Sequence, residues 1–137
     1  MTDQSLIALL RRHEGLRLHP YRDSVGKLTI GVGRNLDDVG ISESEALMLL
    51  GNDITRAQAG LDRELPWWRG LSAGRQIALT DLAFNMGFQG LLTFRHTLAA
   101  LAQGDWPEAA QGLKSSLWAR QVHAARVADV VGLIEGG

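Results

Sequence analysis

The sequence has 137 residues, of which 45% are hydrophobic and 21% are charged, with a formal net charge of −1 and no cysteine. This length fits one ordinary domain that can bury a hydrophobic core without cross-links. The lack of cysteine excludes disulfide scaffolds, thiolate metal sites and cysteine nucleophiles. The near-neutral charge argues against a nucleic-acid partner, since duplex binding relies on clustered Lys and Arg contacts to phosphate.

The histidines and the apolar stretches exclude further classes of protein. His13, His19, His96 and His123 lack the spacing of a metal site, so we expect no metal and no cofactor. The apolar stretches are much shorter than the roughly 20 residues that span a bilayer. The N terminus also lacks the basic region of a signal peptide. We therefore expect no stable membrane association and no export signal.

The first predicted element is a short amphipathic helix over residues 2–14. Its apolar residues and Glu14 recur at helical spacing, with Thr2 or Asp3 as the cap and Gly15 as the stop. Residues 16–33 then change to short β-prone runs, broken by a proline and by an Asp-Ser-Val-Gly turn. This pattern predicts a small antiparallel sheet.

The rest of the chain is predicted to be helical. Ser42 and Glu45 form a capping box that opens a helix through about Leu61. Further helices are predicted over Ala73 to Met86, over Phe94 to Leu101, after a cap at Asp105 with Glu108 three residues on, and over His123 to Ile134. We expect the four tryptophans, Trp67, Trp68, Trp106 and Trp118, to pack within this helical part.

These elements predict a mainly α, α+β fold in a single domain over residues 1–137 with two lobes. We expect a small lobe over about residues 12–41, a linking helix over about 43–61 and a helical lobe over about 66–137. The first helix is expected to pack on the helical lobe. A cleft between the lobes would be the place where an extended ligand binds.

Glu14 and Asp23 are two carboxyl groups with different predicted surroundings. Glu14 continues an apolar stripe at a helix C terminus, where partial desolvation and the helix dipole both favour the protonated acid. Asp23 lies in a polar turn with backbone amides and Arg22 nearby, which favour the ionised form. Cleavage of a glycosidic bond requires one carboxylic acid and one carboxylate. The two residues are therefore candidates for the acid and the base.

Thr29 follows Asp23 on the next predicted strand. By the alternation of side chains along a strand it would share a face with Gly31 and Gly33. Its hydroxyl group could help to hold a water molecule, and the glycines would leave backbone exposed for a sugar ring. Taken singly, a Glu at a helix end, an Asp in a turn and a Thr in a strand are usually structural.

The spacing of these residues resembles the phage T4-type lysozymes, glycoside hydrolase family 24. The signature of that family is Glu, eight residues, Asp, five residues, Thr, which Glu14, Asp23 and Thr29 match. The flanking E-G-x-R and T-I-G-x-G also match. The similarity continues through Gly40-Ile41-Ser42, Phe84-Asn85-Met86-Gly87, Phe94, Asp105-Trp106 and Ser116-Leu117-Trp118.

The resemblance implies a lysozyme-like two-lobe fold and hydrolysis of bacterial peptidoglycan. The implied reaction cleaves the β-1,4 bond between N-acetylmuramic acid and N-acetylglucosamine with inversion, using Glu14 as the acid, Asp23 to position water and Thr29 to assist. For an inverting enzyme the two carboxyl groups lie about 6.5–9.5 Å apart. The positions implied for substrate binding are Gly31, Arg34, Phe84, Asn85 and Arg126.

Some positions depart from the family pattern or allow two interpretations. Arg34 stands where the T4 enzyme has His, and we predict an ion pair with Asp53, although two solvated surface charges are as good an interpretation. The segment between Arg34 and Ser42 is short, so part of a flap over the cleft is expected to be missing. The apolar pattern around Phe84 favours a core position over a cleft position. Among the C-terminal residues Arg120, His123 and Arg126, the arginine that approaches Glu14 is left open.

The resemblance also implies a cellular setting, and other functions stay open. An endolysin without an export signal would accumulate in the host cytoplasm and reach the periplasm and cell wall through a holin-type pore. We expect a monomer. The alternatives are an inactive peptidoglycan-binding protein with the same fold, a lytic transglycosylase that releases anhydro ends, and an all-helical interaction or DNA-binding protein. The intact Glu14, Asp23 and Thr29 disfavour the first two, and the glycine-rich sheet disfavours the third.

Overall fold

A computed structural model describes residues 3–137 of the chain. The chain divides into two compact units, the first ending at Met48 and the second covering Leu49–Gly137. The predicted lobe boundaries, the packing of the first helix on the helical lobe and the cleft stay predictions. None of the helices within residues 3–137 combines the length and the apolar character that crossing a membrane requires.

The first unit begins with helix α1, Gln4–Glu14. Oδ1 of Asp3 caps it by accepting hydrogen bonds from the backbone N–H groups of Ser5 at 2.9 Å and Leu6 at 3.4 Å. Thr2, the other predicted cap, lies outside the described residues. The helix ends at Gly15, whose φ of 76° is readily adopted only by glycine. The predicted element and its stop are confirmed.

A three-stranded antiparallel sheet follows in the order β1 (Arg17–Arg22), β2 (Leu28–Gly31) and β3 (Arg34–Asn35). Thr29, on the central strand, lies opposite Tyr21 on one side and Asn35 on the other. The sheet is confirmed, but the face predicted for Gly33 is wrong, because Gly33 lies in the turn after β2, whereas Gly31 is the last residue of the strand that holds Thr29. Gly31 and Gly33 have φ values of 72° and 71°, and this turn geometry ends the alternation of a strand.

Helix α2, Glu43–Glu64, is opened by the predicted capping box. The backbone N–H of Glu45 donates to Oγ of Ser42 at 3.1 Å, and Oε1 of Glu45 accepts from the backbone N–H of Ser42 at 2.9 Å. The boundary between the two units falls inside this helix, after Met48. The predicted start is therefore confirmed, and the helix runs three residues beyond the predicted end at Leu61.

The second unit is helical. After a short 3-10 turn at Trp68–Gly70 it contains α3 (Ala73–Leu92), α4 (Arg95–Gln103), α5 (Trp106–Lys114), α6 (Leu117–Gln121) and α7 (Ala124–Gly136). Helix α3 is broken at Gly87, where φ is 75° and ψ is 165°, next to its predicted end at Met86. Oδ1 of Asp105 accepts from the N–H of Glu108 at 3.3 Å, which confirms that cap.

The hydrophobic core lies in the second unit. The largest fully buried side chains are Trp68, Leu61, Leu79, Leu82, Leu91, Leu101, Leu113, Ile134 and Val130. Trp118 is also in the core, and Trp67 and Trp106 pack against it, so the prediction for all four tryptophans is confirmed. The Nε1–H of Trp68 donates to Oδ1 of Asp62 at 2.7 Å, which satisfies the polar atom of a buried ring.

Candidate active site

Glu14 is the last residue of α1, and its carboxyl group lies against the backbone of Gly33. A Cβ atom added to Gly33 would lie 2.8 Å from Oε2 of Glu14 and 3.0 Å from its Cδ. This close approach is possible because residue 33 has no side chain. The predicted position at the helix end is confirmed. The predicted desolvation is wrong, because Glu14 and its stripe neighbours Ile7 and Leu10 are exposed.

Asp23 begins the turn between β1 and β2. Its Oδ1 accepts hydrogen bonds from the backbone N–H groups of Val25 at 3.0 Å and Lys27 at 2.9 Å. These two bonds fix the orientation of the carboxylate. Among the bonds of residues 3–137 none uses Oδ2, which leaves that oxygen to accept a proton. The predicted backbone amides are confirmed, whereas Arg22 forms its ion pair with Asp37.

Thr29 is buried, with 3% of its surface exposed. Its hydroxyl group donates to the backbone oxygen of Lys27 at 2.8 Å, so the lone pairs of Oγ1 remain as acceptors. The same Lys27 oxygen accepts from the N–H of Asp23 at 2.9 Å. The peptide groups of Lys27 therefore connect Asp23 and Thr29 directly. The sequence carried no signal for this connection because it uses only backbone atoms of Lys27.

Arg34 forms its ion pair with Glu45, and the predicted pair with Asp53 is wrong. Nη1 and Nη2 of Arg34 lie 2.7 Å from Oε1 and Oε2 of Glu45. Nη1 also donates to the backbone oxygen of Gly40 at 3.2 Å. Asp53 instead pairs with Arg56, one helical turn away, at 2.9 Å. The hydrogen bonds from Arg34, and after them the hydrogen bond from the Ser42 backbone N–H, lower the pKa of Glu45 from 4.5 to about 2.

The sequence identified Glu45 as part of the capping box but not as the partner of Arg34. The box placed its carboxylate at the N terminus of α2. What the sequence did not show is that the loop between β3 and α2 returns this carboxylate to Arg34. Gly40, whose φ is 67°, lies in that loop and offers its backbone oxygen to Arg34.

Asn85 and Phe84 lie in the second unit, in different settings. Oδ1 of Asn85 accepts from Nε1 of Trp118 at 2.8 Å, which fixes the amide so that its NH₂ group points the other way. The core position favoured for Phe84 is wrong, because 47% of its surface is exposed. Phe84 lines an apolar groove of about 640 Å³ together with Ile54 and Ile77. The two residues of α3 that precede it, Leu82 and Ala83, take the buried positions.

Arg126 lines the same groove and forms a two-pronged ion pair with Asp81. Nε of Arg126 lies 3.2 Å from Oδ2 of Asp81, and Nη2 lies 3.0 Å from Oδ1. The pair joins α7 to α3 within the helical unit. The guanidinium therefore has a structural partner, Asp81, that could not be identified from the sequence.

In the first unit, the three catalytic candidates are all attached to the segment 27–33. Asp23 and Thr29 are joined through Lys27, and Glu14 contacts Gly33. The arrangement offers an exposed carboxyl group, an oriented carboxylate and a buried hydroxyl oxygen. The two carboxyl groups are the acid and the base that such a cleavage of a glycosidic bond requires, and the hydroxyl oxygen is an additional hydrogen-bond acceptor.

The chain is similar to one protein family and to several known proteins. The family model of phage lysozyme matches residues 11–135. The chain is 27% identical to a probable T4-type lysozyme 1 of Dictyostelium discoideum, over 97% of this chain and 95% of that protein. It is 32% identical to an endolysin of Acyrthosiphon pisum secondary endosymbiont phage 1, over 64% of this chain and 60% of that protein.

A further relative is much longer than this chain. The pre-baseplate central spike protein Gp5 of Enterobacteria phage T4 is 30% identical over 94% of this chain, which spans only 28% of that protein. The shared segment is therefore one part of the spike protein. Because the family model covers almost the whole sequence and includes Glu14, Asp23 and Thr29, the chain belongs to the phage lysozyme family.

Proposed function

We propose that this chain is an endolysin that hydrolyses bacterial peptidoglycan. The bond cleaved is the β-1,4 bond between N-acetylmuramic acid and N-acetylglucosamine. The observation that carries the proposal is the attachment of Glu14, Asp23 and Thr29 to one short segment, residues 27–33. Membership of the phage lysozyme family supports the same substrate.

Glu14 acts as the general acid in this proposal. It transfers its proton to the glycosidic oxygen as the bond from that oxygen to the anomeric carbon breaks. Its exposure gives a polymeric substrate access to the carboxyl group. The contact with Gly33 supports the role because it restricts where the carboxyl group can lie.

Asp23 acts as the general base and Thr29 assists it. A water molecule attacks the anomeric carbon from the face opposite the leaving oxygen and gives a proton to Oδ2 of Asp23. The two amide bonds to Oδ1 support this role because they orient the carboxylate. Oγ1 of Thr29 accepts a hydrogen bond from the same water. The product is the α-anomer, so the reaction inverts the configuration.

The positions proposed for substrate binding differ in how their side chains are used. Gly31, beside the site, offers backbone groups to a sugar ring. The NH₂ group of Asn85 is oriented by Trp118 and suits an acetamido oxygen. The exposed Phe84 suits the apolar face of a sugar. Arg126 contacts the substrate in this proposal while its guanidinium group stays paired with Asp81.

The cellular setting is also a proposal. We propose that the enzyme is held in the host cytoplasm, passes through a holin-type pore made by another protein, and acts as a monomer on the cell wall. The similarity to an endolysin supports a role in lysis.

Analysis of the reaction products in water enriched in oxygen-18 tests the proposed reaction. Hydrolysis places one heavy oxygen at each new reducing end, and proton NMR at early times detects the α-anomer first. Anhydro ends, lighter by one water and free of the label, would show lytic transglycosylation. A β-anomer formed first would contradict inversion.

A further inference from the structure

The Glu14 carboxyl group lies against Gly33, and the next residue is Arg34. Gly33 has a φ of 71°, in the tight turn between β2 and β3. A turn of this kind can rotate about its glycines unless neighbouring groups hold it. What holds residue 34 therefore also determines where the backbone of residue 33 lies.

Arg34 is held by three acceptors beyond the sheet. Two are the carboxylate oxygens of Glu45, each 2.7 Å from a guanidinium nitrogen. The third is the backbone oxygen of Gly40 at 3.2 Å. A two-pronged pair between Arg and a carboxylate restricts orientation as well as distance. Glu45 is itself fixed, because Oε1 accepts from the N–H of Ser42 at the start of α2.

We propose that Arg34 and Glu45 are positioning residues that hold the Glu14 carboxyl group in its reactive place through the backbone of Gly33. The inference rests on the proposed function, because it gives the pair a purpose in the reaction that Glu14 performs. The connection runs from the start of α2, through Glu45 and Arg34, to the turn against which Glu14 lies.

A positioning role has a different kinetic signature from substrate binding. If the turn moves, Glu14 shifts relative to the scissile bond, and an offset of about 1 Å can cost about 100-fold in rate. Loss of a substrate contact made equally in the ground and transition states raises KM instead. Since the Arg34 guanidinium is already bonded to Glu45 and Gly40, we expect kcat to fall and KM to change little.

The variants are chosen to remove the pair while keeping the fold. Glu45→Gln keeps an oxygen for the Ser42 N–H but removes the charge, and Arg34→Met removes the guanidinium. Arg34→Lys keeps the charge but cannot make the two-pronged contact. The matched control is Arg56→Met, which breaks the Asp53–Arg56 pair of α2 at 2.9 Å. Circular dichroism confirms that each variant is folded.

We expect kcat on purified peptidoglycan to fall about 10-fold to 100-fold in all three variants of the pair and to stay within about twofold of wild type in Arg56→Met. The double variant Arg34→Met, Glu45→Gln should lose little more than either single variant, because both act through one contact. A rise in KM with unchanged kcat would overturn the proposal in favour of substrate binding. Unchanged kinetics in Arg34→Met and Glu45→Gln would also overturn it.

NMR tests the same contact without any catalysis. In the wild-type protein the Cα hydrogens of Gly33 should give nuclear Overhauser contacts to the side-chain CH₂ groups of Glu14, since a Cβ at residue 33 would lie 3.1 Å from Cγ of Glu14. In Arg34→Met and Glu45→Gln these contacts should weaken, and in Arg56→Met they should not. If the wild type cleaves nothing, the proposed function fails while these contacts still decide the positioning role. Contacts that are unchanged in both variants would overturn it.

Discussion

At the scale of single residues, the position of Glu14 depends on the absence of a side chain at residue 33. Two separate demands meet at Gly33. Its φ of 71° is disfavoured for any residue with a Cβ atom, and an added Cβ would meet the Glu14 carboxyl group at 2.8 Å. The first demand concerns folding, and the second concerns the proposed reaction.

Replacing Gly33 with alanine separates the two demands. Both Gly33→Ala and Gly104→Ala add a Cβ at a φ above 70°, and in Gly104 the nearest atom, in Trp106, is at an ordinary contact distance of 3.6 Å. We expect each to lower the free energy of unfolding by roughly 1–3 kcal/mol, as measured by urea denaturation. Only Gly33→Ala should displace Glu14, and its clearing of peptidoglycan should fall at least about 10-fold below that of Gly104→Ala. Equal activities would contradict the contact.

The catalytic roles of Glu14, Asp23 and Thr29 stay predictions, whereas their attachment to one segment is observed. The spacing of Glu14, Asp23 and Thr29 could be read directly, and all three residues are attached to one segment. The partner of Arg34 could not be predicted, because it depends on the path of the loop before α2. Asp53 instead forms an ion pair with Arg56, which lies one helical turn away.

At the scale of elements, Glu45 has two roles at the start of α2. It completes the capping box with Ser42 and it pairs with Arg34. Both interactions favour the ionised carboxylate, so the pKa of Glu45 in the folded chain is about 2, below the ordinary value of 4.5. A group with a lowered pKa in the folded state stabilises the fold above its unfolded pKa, and this contribution is lost as the pH falls.

The pH dependence of stability in Glu45→Gln tests this directly. At pH 7 the wild type should have the higher Tm, because Gln cannot make the charged pair. As the pH falls from about 4.5 to about 2, Glu45 takes up its proton and comes to resemble Gln, so the two Tm values should converge. Differential scanning calorimetry at pH 7, 4 and 2.5 measures this. A Tm difference that stays constant over this range would contradict the lowered pKa.

The break in α3 is a second feature at this scale. Gly87 has φ 75° and ψ 165°, a region that is essentially restricted to glycine, and a Cβ there would meet no atom within 4 Å. We therefore expect Gly87→Ala to lower the free energy of unfolding by about 1–3 kcal/mol through backbone strain alone. Urea denaturation measures the loss. A stability equal to that of the wild type would show that the break is not required.

The elements were predicted well because their ends carry local signals. The glycine at residue 15, the capping box at Ser42 and the cap at Asp105 act within a few residues, and each does what the sequence predicts. The turn from β2 to β3 was less predictable. Two glycines with positive φ end the strand there, and no local pattern distinguished this from a longer strand.

At the scale of the whole molecule, burial is distributed unevenly between the two units. All of the buried hydrophobic residues among those described lie between Ala57 and Ile134. In the part of the first unit that the structure describes, Thr29 is the one buried residue. Since hydrophobic burial is the dominant favourable contribution to folding, the second unit should carry most of the stability.

Leu79→Ala should therefore lower the free energy of unfolding far more than Leu18→Ala. Leu79 is 1% exposed and lies in the core, whereas Leu18 on β1 is 75% exposed. We expect the first change to cost about 2–5 kcal/mol of unfolding free energy and the second to cost less than about 0.5 kcal/mol. Urea denaturation measures both. A similar cost for the two variants would contradict the assignment of the core to the helical unit.

The measurement that tests the central claim most directly is the clearing of purified peptidoglycan by the wild type and by Glu14→Gln. Glu64→Gln, which changes an exposed carboxylate of α2 paired with Arg63, is the matched control. We predict that the wild type and Glu64→Gln clear the suspension at similar rates and that folded Glu14→Gln is at least about 100-fold slower, since removing the acid removes a contribution of about 10²–10⁴. Equal clearing by Glu14→Gln, or binding without clearing by the wild type, would contradict the proposed hydrolase.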